Sequence, residues 1–190
     1  MGLRFVNTSV IAIVAVALAQ LPSAAQQQLD PITDADAYLV YAAVIPQTWA
    51  HVSSGVLLLQ QETEEIERMW SACLSQMANV SAEWGAVAVV FRQENARVRM
   101  LEWLLPIDIP YRLVRRADIL ADNARLALMY PGTRQRRREM KYAAVSAVGF
   151  NAAKTKAIVY VRVPDRGDIV FMELREGKWV IAPLGCVVIA

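Results

Sequence analysis

His51 is the sole histidine in the chain. An imidazole acts as a general base only with a nucleophile and an orienting partner in hydrogen-bond reach. The sequence identifies neither, and it has no Gly-x-Ser-x-Gly elbow, glycine-rich phosphate loop or dinucleotide fingerprint. Its place just after Trp49, near a predicted helix end, suits a capping or exposed role. Glu62, Glu64, Glu65 and Glu67, with Asp108 further on, could supply a carboxylate pair for acid–base chemistry. Such a pair needs two environments that push the pKa values apart, usually one apolar and enclosed. A dense acidic run is ordinarily a solvated face. No catalytic residue is assigned.

Metal and cofactor chemistry fare no better. One histidine and two cysteines 113 positions apart do not make a zinc site of usual spacing. Asp30, Asp34 and Asp36 are close together but lack the glycine turn and distal Glu of a calcium loop. Neither a metal nor a cofactor is expected. Cys73 and Cys186 are candidates for a disulfide in an oxidising compartment. The alternative, two separate buried thiols, stays open, because the sequence does not bring their Cα atoms within the ~4.4–6.8 Å that a bridge needs.

One local charge feature rises above background. Arg134, Arg136, Arg137, Arg138 and Lys141 place five cations within eight residues, with one acid, Glu139, among them. Guanidinium forks hold phosphate and carboxylate well, so this is a candidate anion-binding segment for an anionic surface, a lipid head group or an acidic partner. The competing reading is a solvated, protease-sensitive loop. No aromatic residues are interleaved, which argues against single-stranded nucleic acid.

The elements that must position these residues begin after an address. Residues 1–25 carry an early cation, Arg4, an apolar run from Val10 to Ala19, then Pro22 and the small residues Ser23 and Ala25. That is the layout of a secretory signal peptide, cut near Ala25, with an apolar segment too short to span a bilayer. Cleavage leaves 165 residues, with 19 cations against 18 anions. Residues 26–190 therefore read as a single domain with a proper core and no global pull toward nucleic acid. No later stretch approaches ~20 apolar residues, so the mature chain has no expected membrane span.

Gln26 to Asp30 reads as a loose new N-terminus. Thr33, with Asp34 and Asp36, caps a helix through Tyr38–Ile45 that Pro46 should end. A buried strand falls between Ser53 and Gln61, and a less clear helix spans Glu65 to Met77. Ser81 caps a helix in which Trp84, Ala88 and Phe91 recur at helical spacing. A short strand over Tyr111–Arg115 and a helix over Asp118–Tyr130 lead to the breaker Pro131–Gly132. Short strands then follow at Ala143–Phe150, Lys156–Val163, Asp168–Arg175, Lys178–Ala182 and Cys186–Ile189. In the second of these, Ala157, Val159, Val161 and Val163 face one way, and Lys156, Ile158, Tyr160 and Arg162 the other. Glu176–Gly177 makes a tight hairpin. The expected class is α+β, with N-terminal helices packed on one face of a C-terminal antiparallel β-meander.

At Tyr130–Gly132 (YPG), Ser146–Asn151 (SAVGFN), Lys154–Val161 (KTKAIVYV) and Glu176–Val180 (EGKWV), the chain resembles a family of uncharacterised secreted bacterial proteins. Their C-terminal part reads YP…SxVGFN…TxALVYV…GKW. Tyr38–Ile45 and Phe91–Asn95 (FRQEN) fall in the family's order. Many members join two of the C-terminal strands by a CGGLCG connection. Here Arg162–Asp168 (RVPDRGD) takes that place without cysteine, so nothing about that loop carries over. The resemblance implies secretion and a shared fold, and no activity.

These residues favour a soluble periplasmic or extracellular protein that works by binding an envelope or extracellular partner rather than as an enzyme. The alternatives are an envelope hydrolase using dispersed carboxylates, and a carrier of a small apolar ligand with an open volume beneath the sheet. The oligomeric state is not read from the sequence.

Overall fold

The computed structural model describes residues 29–49, 56–66, 73–75, 81–102, 105–132, 142–164 and 166–189. Its helices are α1 (Ala35–Trp49), α2 (Ala82–Glu94) and α3 (Arg116–Met129), with a short helical piece at 73–75. The strands are β1 (Leu57–Gln60), β2 (Tyr111–Val114), β3 (Tyr142–Val145), β4 (Gly149–Phe150), β5 (Lys156–Val163), β6 (Arg166–Arg175) and β7 (Lys178–Ile189). They form one sheet in the order β2-β1-β3-β5-β6-β7, with β4 added alongside β5. The class is α+β, helices toward the N-terminus and strands toward the C-terminus.

Two expectations about the sheet need correction. The sheet is mixed: β5, β6 and β7 form the antiparallel meander, but β1 runs parallel to both β2 and β3. The chain between β1 and β2 contains α2, and that between β2 and β3 contains α3, so both connections are long enough for parallel crossovers. Helices also cover both faces rather than one. Ala157, Val159, Val161 and Val163 join Val40, Val44 and Ile45 of α1 in one core. Ile158 and Tyr160 join Trp84, Val87 and Phe91 of α2 in the other. The alternation along β5 leaves apolar side chains on both faces, with Ile158 and Tyr160 on the second, so each face needs a cover.

Helix α1 starts from Asp34, not Thr33: the Asp34 carboxylate accepts the Asp36 amide at 3.0 Å. It also continues through Pro46 to Trp49. The side chains of Gln47 and Thr48 donate to the carbonyls of Ala43 and Val44, at 2.9 and 3.1 Å, supporting the turn around the proline. Helix α2 begins as expected, with the Ser81 hydroxyl accepting the Trp84 amide at 3.4 Å. The stretch Ala143–Phe150 is two strands, and the stretches at Lys178 and Cys186 are one. Asp30, expected to be loose, is tied: its carbonyl accepts the Met100 amide at 2.9 Å and its carboxylate meets Arg97 at 2.8 Å.

Glu176 and Gly177 both have positive φ, 50° and 76°, which closes the β6–β7 hairpin with the twist of its strands. On the β5–β6 pair, Lys156 donates to Glu173 at 3.0 Å and lies 4.8 Å from the centre of the Trp84 ring. Arg175 donates to the other Glu173 oxygen at 2.6 Å. The bond from Arg175, then that from Lys156, holds the Glu173 carboxyl below its usual range. A carboxyl depressed by folding contributes stability above its unfolded pKa, about 4.3, and loses it as pH falls through the folded value. Glu173→Gln is therefore expected to flatten the acid limb of the melting-temperature profile, by less than about 1 kcal/mol given its exposure. An acid limb as steep as that of the parent would reject this origin.

Candidate functional site

Glu62 and Glu64 extend just beyond β1. The Glu62 carboxylate accepts the backbone amide of Arg116 at 2.7 Å and faces the Arg115 guanidinium at 3.3 Å. Arg115 stands at the N-cap of α3 but its side chain makes no capping hydrogen bond. An acid from another element thus satisfies an orphan amide at the positive end of the helix. Glu64 is nearly buried. Its carboxylate accepts from Arg162 at 3.1 Å and from Gln60 at 3.3 Å, with Arg116 at 3.9 Å. The Arg162 guanidinium in turn lies 5.7 Å from the centre of the Tyr142 ring. Both acids are matched by cations and fixed in place.

The other candidates are not assembled around them. Glu65 and Asp108 are exposed. Asp34 and Asp36 converge on Lys154 at 2.9 and 2.8 Å, pinning the start of α1 to the β4–β5 turn. His51, Glu67, Arg134, Arg136, Arg137, Arg138 and Lys141 lie outside the described residues. Among the described residues no group of acids, histidines and cysteines is arranged to hold a metal ion. None of their helices is long and apolar enough to cross a membrane. Cys73 packs against the second core, and no described cysteine is free.

The segments FRQEN and SAVGFN meet in space. The Asn95 amide donates to the Ala147 carbonyl at 3.0 Å and to the Phe91 carbonyl at 2.8 Å. Its oxygen accepts the Ala147 amide at 2.8 Å. Ser146 is fully buried and ties β3 to β5, its hydroxyl accepting the Tyr160 amide at 2.9 Å and its carbonyl accepting the Tyr41 hydroxyl at 2.9 Å. The backbone of Gly149 lies directly beneath Phe91.

A cleft of about 370 Å³ opens at this junction, at the β4 edge, where the start of α1 and the last turn of α2 approach each other. Ile32, Ala37, Val90, Val148 and Phe150 make its apolar lining. Asp34 and Lys154 border it, as do Glu94 and Arg99, whose own ion pair is 2.5 Å long. Neither Glu62 nor Glu64 lines it. Arg99 is held through its backbone, donating its amide to the Thr63 hydroxyl at 2.9 Å and accepting the Thr63 amide at 2.8 Å. Its Nε is shielded from solvent yet has no hydrogen-bond partner, as do Arg162 Nε and Gln60 Oε1 beside Glu64.

Comparison with protein-family models, with curated proteins and with solved structures gives no match to this chain. Glu94 and Lys154 stand in the sequence only as members of FRQEN and KTKAIVYV, and Arg99 in neither; their pairings are not legible there, since Lys154 finds Asp34 across 120 positions.

Proposed function

We propose that the chain is an exported bacterial envelope protein that acts by binding rather than by catalysis, and that it belongs with the secreted proteins whose C-terminal pattern it resembles. The reading rests chiefly on Glu62 and Glu64, two acids of the run that are both held by cations. One anchors the amino end of α3 and the other is surrounded by Arg162, Arg116 and Gln60. The opening 25 residues supply the export address.

Export would place Cys73 and Cys186 in an oxidising compartment, and we infer that they pair. The backbone of Cys186 is registered with Ile169, a member of the core against which Cys73 packs. Alkylation before and after reduction, read by mass, is expected to label both thiols only after reduction. Two thiols labelled in the unreduced, unfolded chain would reject the bridge.

Protein expressed with its full sequence is expected in the envelope fraction, beginning near Gln26. Folded protein retaining Met1 in the cytosol would reject export. Incubation with purified peptidoglycan and with phospholipid is expected to release no product. Turnover that Glu64→Gln abolishes would replace the binding reading with hydrolysis.

A further inference from the structure

We propose that the space between α3 and the sheet at β1, β2 and β3 is a binding site for a free amino acid with an apolar side chain. The inference deepens the binding reading above and rests on it. Only Ile119 and Leu126 of α3 are buried, so the helix lies thinly on the sheet. A cleft of about 270 Å³ remains beneath it, just under the usual ~300 Å³ floor for small-molecule sites. Arg112, Leu58 and Tyr142 are register neighbours across β2, β1 and β3, so their side chains share the face that lines the cleft. Val114 and Ile119 complete its apolar part.

Two opposite charges border this space without meeting. Arg112 comes from β2 and Asp118 from the first turn of α3. Neither side chain makes an ion pair or hydrogen bond with any described residue. Asp122, on the same wall, is already taken by Arg125 at 2.6 Å. Tyr142 is 7% exposed, and its hydroxyl has no hydrogen-bond partner among the described residues. That hydroxyl is not among the atoms sealed from solvent, so it stays within reach from the cleft that Tyr142 lines.

A ligand that satisfies both charges must carry a carboxylate for Arg112 and an ammonium for Asp118. A molecule with one sign alone would leave the other charge partly desolvated and without a partner. The small volume sets the two groups on one short body, and Leu58, Val114 and Ile119 supply contact for an aliphatic side chain. An α-amino acid meets these conditions, with the Tyr142 hydroxyl as a further donor to its carboxylate.

The test compares leucine with isocaproate, which lacks the amine, and isoamylamine, which lacks the carboxylate. Each is titrated to millimolar concentration into the full-length mature protein and followed by the amide chemical shifts of Leu58, Val114 and Ile119. Leucine is expected to shift all three, with each singly charged analogue about tenfold weaker or more, the worth of one charge-assisted hydrogen bond. Arg112→Gln should bring leucine down to the level of isoamylamine and leave that amine unchanged. Asp118→Asn should bring leucine down to the level of isocaproate and leave that acid unchanged. Both positions are exposed, so the melting temperature should hold in both variants. Should either fold poorly, the ranking of the three ligands on the parent decides alone. An analogue that binds as tightly as leucine, leucine shifts that ignore both substitutions, or no shifts at the cleft would overturn the site. The binding reading fails separately, through the turnover assay described above.

Discussion

Gly149→Ala is expected to destabilise the protein by about 3 kcal/mol or more. A Cβ at position 149 would press into the Phe91 Cα and come within 2.5 Å of both its Cβ and its backbone nitrogen. These are not the far ends of a side chain that could swing away. They belong to the axis of α2, which also carries Trp84, Val87 and Ala88 into the second core. Relief requires the helix to lift off β4, opening the packing against Ile158 and Phe171. Urea unfolding reads the loss directly. Gly132→Ala is the control, because nothing lies within 4 Å of the place its added methyl would take, and it should stay within about 0.5 kcal/mol. Equal midpoints for the two variants would show that α2 does not sit on β4 as described.

Asn95→Ala should cost about 2–4 kcal/mol, because each buried group left without its partner forfeits roughly 1–3 kcal/mol. One side chain serves both the amide and the carbonyl of Ala147, a buried residue between β3 and β4, and ties them to the last turn of α2. Alanine removes all three bonds at once. Asn95→Asp keeps an acceptor for the Ala147 amide but turns an anionic oxygen toward the Phe91 and Ala147 carbonyls, so it should be no milder than alanine. The Ala147 amide should also exchange faster with solvent in Asn95→Ala, a local signature separate from the global midpoint. A change under about 0.5 kcal/mol with unchanged exchange would mean that Asn95 is dispensable to the junction. Both substitutions act where FRQEN meets SAVGFN, so a structural role is sufficient to explain why these two segments stand out in the sequence.

What the sequence determined alone was whatever depends on near neighbours. The alternation of Ala157, Val159, Val161 and Val163 against Ile158 and Tyr160 assigned each residue to its face of the sheet, because strand geometry turns every second side chain to the same face. Glu176–Gly177 announced its hairpin and Ser81 its helix for the same reason. Pro46 shows where local rules yield: α1 is buried against the sheet through Val44, Ile45 and Trp49, and that packing carries the helix past a residue that usually ends one. Only the tertiary structure decided that β1 runs parallel to its neighbours, that Glu62 anchors a helix 54 positions away, and that Asp34 and Arg99 border one cleft. Those pairings arise when two cores close from opposite faces, and no periodicity within a short window carries the distance between their partners.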